Sequence, residues 1–136
     1  MINLQTFLTY TDFKQTAKCL DYKRLGKQRV EAMQILTTLT INKNSRWRNH
    51  PAVKMWKGYE GFLEQYKNVM IEEWKVRGYN NTMPITNDFK DNTNYPPWIT
   101  DEFCVAHRSN LLRKDCQYYS KFNWNVADNL PYIWPV

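Results

Sequence analysis

Asp21, Arg24, Gln28 and Glu31 set two carboxylates, a guanidinium and a carboxamide three and four residues apart. Side chains at those separations are neighbours on a helix. A carboxylate in such a row can take or give a proton, and a guanidinium beside it can hold a phosphate. Lys27 and Gln34 flank the row.

The element that must present this row is a run from Thr11 to about Leu39, which reads as one amphipathic helix. With Leu20 at zero and about 100° per residue, Glu31, Arg24, Gln28 and Asp21 fall between about 20° and 100°. Ala32, Leu25, Leu36, Tyr22 and Met33 fall between about 120° and 220° and form the apolar arc. Two residues break the pattern, Ile35 inside the polar row and Arg29 inside the apolar arc. The plain alternative is a solvated face laced with ion pairs. Thr11-Asp12 supplies a hydroxyl cap and an acidic first turn. Gly26 interrupts the helix at roughly 1 kcal/mol relative to Ala, for close approach of a backbone or ligand or for helix packing.

A second helix is expected from Pro51, with Asn49 or His50 at its cap, to about Arg77, with Gly78 as the stop. Its stripe Val53, Trp56, Tyr59, Phe62 or Leu63, Tyr66, Met70 and Trp74 reads as core. Ahead of it, Arg46-Trp47-Arg48 places two guanidiniums beside an indole, which could clamp a phosphate and stack on a base, or could be a surface loop with its Trp packed down. Residues 79–99 read as a long loop, a length often functional in a small domain. Thr100 starts a third helix. On it His107, Asn110 and Lys114 share a face with Arg113 nearby, suited to a phosphate or a base edge, or else simply a basic solvated face. The tail from Cys116 is aromatic and proline-punctuated and reads as irregular core cover.

Together these give an all-α, compact single domain over residues 1–136: three main helices, long loops and an aromatic irregular C-terminal tail. The 136 residues suffice for one core. A formal charge of +6 with 15% aromatic residues favours an anionic, stackable partner such as nucleic acid over a membrane surface. No stretch approaches the roughly 20 apolar residues of a membrane span, and the N-terminus lacks the pattern of a signal peptide. Three cysteines without paired spacing argue against a disulfide framework and a four-cysteine metal site. A reducing, cytoplasmic setting is expected, with no cofactor, no metal and no obligate protein partner.

Three blocks carry a resemblance: Leu20-Asp-Tyr-Lys-Arg-Leu-Gly-Lys-Gln-Arg-Val-Glu31, His50-Pro-Ala-Val-Lys-Met-Trp56 and His107-Arg-Ser-Asn-Leu-Leu-Arg-Lys114. Together they resemble the pyrimidine-dimer DNA glycosylases of the endonuclease V type, in small intracellular and viral proteins. The resemblance implies a compact three-helix protein that binds double-stranded DNA on a basic face, kinks it and flips out a base. It also implies an N-terminal α-amine that attacks the sugar C1′ to form a Schiff base, assisted by a first-helix glutamate in glycosidic cleavage and β-elimination.

Two positions depart from that pattern. Where those enzymes read Tyr-Arg-Glu-Leu-Pro-Arg, this chain reads Tyr22-Lys-Arg-Leu-Gly-Lys27, so Arg24 stands at the glutamate's place. Residue 2 is Ile rather than Thr, so Met1 is expected to stay; its amine, with an ordinary pKa of roughly 7.7–8.0, can be a nucleophile near neutrality if the N-terminal arm brings it to the first helix. If the reaction is retained, Glu31 or Asp21 must supply the carboxylate, with His50 and His107 as secondary candidates. Arg24, Lys27, Arg46, Arg48, Arg113 and Lys114 are expected on phosphates, Gln28 and Asn110 on the substrate, and Trp47 against the extruded base. The expected activity is excision of a damaged or modified pyrimidine, with or without strand cleavage at the abasic site. A non-catalytic nucleic-acid-binding module and a nucleotide hydrolase using the same polar pocket are the alternatives.

Overall fold

The computed structural model describes residues 4–135, and these form an all-α fold around one core. In chain order the helices are α1 (Phe13–Cys19), α2 (Tyr22–Thr40), α3 (Pro51–Trp56), α4 (Glu60–Val76), α5 (Asp101–Lys114) and α6 (Cys116–Tyr119), followed by a 3-10 turn at Ser120–Phe122. The three long ones, α2, α4 and α5, are the three main helices the sequence implies. α2 lies along α4, α1 packs on α4 and α3 on α2.

Two of the expected helices are each divided. The Thr11–Leu39 run stops at Cys19, because Leu20 and Asp21 are extended. Asp21 turns inward and caps α2, its carboxylate accepting the Arg24 N–H. The first cap is Asp12 rather than Thr11. The Pro51–Arg77 run divides at Gly58, whose φ of +91° suits a glycine. His50 caps α3, its Nδ1 accepting the Ala52 N–H at 3.0 Å, and Gly78 ends α4 at φ +88°.

Leu25, Ala32, Ile35, Leu63, Tyr66, Met70, Trp56 and Phe103 fill the core. The aromatic stripe on α3 and α4 is therefore largely core, as its spacing implies. Residues 4–10 form an extended arm that crosses this core: Leu4, Phe7 and Leu8 are buried, and Thr6 accepts the Trp56 indole N–H at 3.0 Å.

The long 77–100 connection is anchored rather than free. Glu64, buried on α4, accepts from the Asp88 and Phe89 N–H groups and the Thr86 hydroxyl, all within 2.9 Å. Burial alone would raise the Glu64 pKa, but these donors and Lys67 hold it below the ordinary carboxylate value. Lys67 donates to Thr86 Oγ1 at 2.7 Å. No helix among the described residues is long and apolar enough to cross a membrane.

Candidate active site

The polar row of α2 does not face open water. The arm lies over it, and the two enclose a cleft of about 160 Å³ lined by Gln5, Phe7, Arg24, Lys27, Gln28 and Glu31, with Lys114 from the end of α5 at its rim. The arm is held by its main chain. Gln5 N–H donates to Glu31 Oε1 at 3.2 Å, Phe7 N–H to Gln28 Oε1 at 3.0 Å, and Leu8 N–H to His107 Nδ1 at 2.9 Å.

Gln28 has no freedom to turn over. The buried Tyr66 hydroxyl lies 2.6 Å from Gln28 Oε1 and 2.7 Å from the Phe7 carbonyl oxygen, so its one proton serves either acceptor. Because Oε1 already receives the Phe7 N–H, the carboxamide must turn its Nε2 to Glu31 Oε2, 3.3 Å away. Burial raises the Tyr66 pKa well above its ordinary value, so this hydroxyl stays protonated. Burial also raises Glu31, and the Gln5 N–H and Lys27 only partly counter it. Its carboxyl is pushed up to about 7. A carboxyl poised near neutrality in a cleft lined by Arg24, Lys27 and Lys114 can exchange a proton with a bound anionic substrate.

Asp21 is not on the cleft wall. Its carboxylate caps α2, accepts the Tyr119 hydroxyl proton and pairs with Arg24 Nη1 at 3.2 Å. Burial opposes its ionisation, yet these partners hold its pKa below the ordinary value. It therefore braces Arg24 rather than facing the cavity. Met1 lies outside the described residues.

His107 and Asn110 do not form the exposed face that their spacing with Lys114 suggests. Both are buried, and only Lys114 reaches the cleft. The arm covers one side of α5, and the tail covers another through the Leu130 N–H on Ser109. Asn110 is bonded to Ala106 and Arg113, and Arg113 is exposed and tied to the tail carbonyls of Asp128 and Leu130. His107 sits against Phe7, Phe103 and Tyr132. Burial drives its pKa down to about 3, so it is neutral and its Nδ1 is an acceptor.

This burial has a measurable consequence. The unfolded chain binds a proton at His107 near pH 6.5 and the fold does not, so stability is full above that pH and falls as the pH drops towards 3. His107→Asn keeps an acceptor but cannot titrate. Thermal unfolding between pH 4 and pH 7 should fall less steeply for this variant than for the parent, although the smaller side chain costs on the order of 2 kcal/mol at neutral pH.

The Arg46–His50 segment lies apart from the cleft but on a continuous path to it. Arg46 covers the half-buried Trp47 ring at 5.1 Å, and the centroids of Trp47 and His50 are 6.1 Å apart. His50 then meets Trp134, Trp134 meets Tyr132, and Lys114 lies 5.9 Å over Tyr132. Arg48 faces a separate cavity, of about 340 Å³, with Lys43 and Lys57. The bridging role of Tyr132 and Trp134 was not readable in the sequence, where only the high aromatic content of the tail hinted at it. Among the described residues, no cluster of His, Cys, Asp or Glu is arranged to hold a metal ion.

No curated protein and no solved structure matches the chain. A family model of the pyrimidine dimer DNA glycosylases matches residues 4–87, which contain the arm, the polar row and the Tyr66 that locks it, though not Lys114 or the tail. With well over half of its length covered, the chain belongs to the pyrimidine dimer DNA glycosylase family.

Proposed function

We propose that this protein flips a damaged or modified pyrimidine out of double-stranded DNA and breaks its glycosidic bond in the arm-covered cleft, with Glu31 as the acid–base group. The observation that carries the reading is the position of Glu31. It is half-buried between a main-chain N–H and the fixed Gln28 amide, in a cleft lined by three cations. Flipping is required because neither the glycosidic bond nor the base edge is accessible within the stack.

As a carboxylate, Glu31 removes a proton from the attacking nucleophile. The nucleophile bonds to C1′, the C1′–N1 bond breaks, and its electron pair leaves with the base, which takes the proton that Glu31 received. Positive charge that develops on the sugar before that proton is transferred is met by the same carboxylate. Arg24, Lys27 and Lys114 hold flanking phosphates. Trp47, with Arg46 and Arg48, meets the duplex beyond the cleft.

With water as nucleophile the product is an abasic site. With an N-terminal amine it is a Schiff base followed by β-elimination. Borohydride trapping on lesion-bearing DNA separates the two, because only the Schiff base leaves a covalent adduct.

The deciding experiment is base release measured by mass spectrometry over a panel of duplexes bearing modified pyrimidines. Release of one of them supports the reading. Salt-sensitive binding with no release from any duplex overturns it. In the same binding assay, Lys27→Gln and Lys114→Gln should each lower the slope of log affinity against log salt by about 0.9, the share of one phosphate contact.

A further inference from the structure

A second aromatic feature lies on α2, away from the cleft. Arg29 covers the Trp74 ring with its guanidinium 4.4 Å from the centroid, Trp74 meets Tyr79 at 4.4 Å, and Tyr79 meets Tyr22 at 6.1 Å. The inner members are fixed. The Trp74 indole N–H donates to the Asn80 carbonyl at 2.7 Å, and Arg29 Nη1 donates to Asn81 Oδ1 at 2.8 Å. Gly26 is what lets the indole lie against the helix, since a Cβ there would come within 2.9 Å of the Trp74 ring. The outer members are open to solvent: Tyr22 is 51% exposed and Tyr79 40%.

From this arrangement we infer that Tyr22 and Tyr79 form a stacking platform for one unpaired nucleobase of the DNA that the cleft engages. The inference rests on the DNA reading above and adds a site to it. On α2 the ladder and the cleft are the two edges of one exposed strip that carries Lys23, Lys27 and Val30. A helix is about 10 Å across with its side chains, so the edges are roughly three base steps of 3.4 Å apart. A strand whose phosphates run along Lys23 and Lys27 therefore brings one base to the cleft and another, a few steps on, to the tyrosines. The rings are pre-positioned, so stacking on them orders little, and any base offers a π-face.

The test is fluorescence anisotropy at one fixed salt concentration with two probes, a short oligothymidylate and the same backbone made entirely of abasic sites. The parent protein and Y22F/Y79F should bind the base-bearing strand about tenfold tighter than the abasic one, the size of one base–aromatic stack. Y22A/Y79A should lose that tenfold and keep only the preference that the cleft itself confers, with its affinity for the abasic strand unchanged. E31Q should keep the preference, which separates this platform from the cleft chemistry. A parent that does not distinguish the strands, or a preference that Y22A/Y79A leaves undiminished, overturns the inference. So does a double variant whose only change is in sedimentation, because the rings then serve contact between copies of the chain. Absence of base release from every duplex would sink the glycosylase reading while leaving this measurement intact.

Discussion

Glu31→Gln is expected to lower the rate of base release by about 10²- to 10⁴-fold, the range for loss of a positioned acid–base group. The replacement keeps the shape of the side chain and can still accept the Gln5 N–H, so substrate affinity should change little and the loss should fall on kcat. The pH dependence identifies the group. With Glu31 at about 7, parent activity should rise to that pH and then level off, and the variant should lose that limb. Stability should move in the opposite sense. The fold holds a proton on Glu31 up to about 7, whereas the unfolded chain releases it near 4.5, so parent stability falls as the pH rises across that window. The Gln variant has no such fall and should unfold at the higher temperature above pH 7. Single-turnover release and thermal melts across pH 4.5–8 test both halves. A variant with undiminished release would remove Glu31 from the chemistry.

Gly61→Ala should be among the most damaging single changes to the fold. In an exposed helix, alanine would gain about 1 kcal/mol over glycine. Here the added Cβ would press into the Asn92 carbonyl oxygen and lie 2.8 Å from that of Phe89. Both obstacles are main chain, and neither can rotate away. The segment holding them is tied to Glu64 by three hydrogen bonds, so either those bonds stretch or α4 shifts. The expected net cost is about 3 kcal/mol, a drop in melting temperature on the order of 10 °C, with faster proteolysis of the 82–94 segment. A variant that melts higher than the parent would show that helix propensity outweighs the contact.

The sequence carries the helical class and the polar row plainly, because both are local. A 3.6-residue rhythm is visible along α2, and the caps at His50 and Thr100 and the stop at Gly78 are single-residue signals. The helix breaks are not local. Leu20-Asp21 continues the rhythm on paper, and only the pull of Tyr119, 98 residues away, gives Asp21 a partner outside the helix.

The misfit residues of α2 are explained the same way. Ile35 stands in the polar row because that row is partly interior, with Gln28 and Ile35 both buried, and Arg29 stands in the apolar arc because Trp74 lies under it. His107 and Asn110 looked like a binding face because one helix's periodicity does not record what covers it. Their covers, the arm and the tail, come from the two ends of the chain. Tyr66, read as core, is core, but its hydroxyl also fixes the orientation of Gln28, a contact across 38 residues that no local pattern encodes.

Two of the groups that fix the cleft's polar wall belong to no side chain. The donors that hold Glu31 and Gln28 from above are the amide hydrogens of residues 5 and 7, and almost every amino acid possesses one. Genetic drift at either position can reshape the cleft's entrance yet leaves this part of the electrostatics untouched. Proline alone deletes it, so of all replacements for Gln5 it is the one that should strip a proton donor from the acid–base carboxyl.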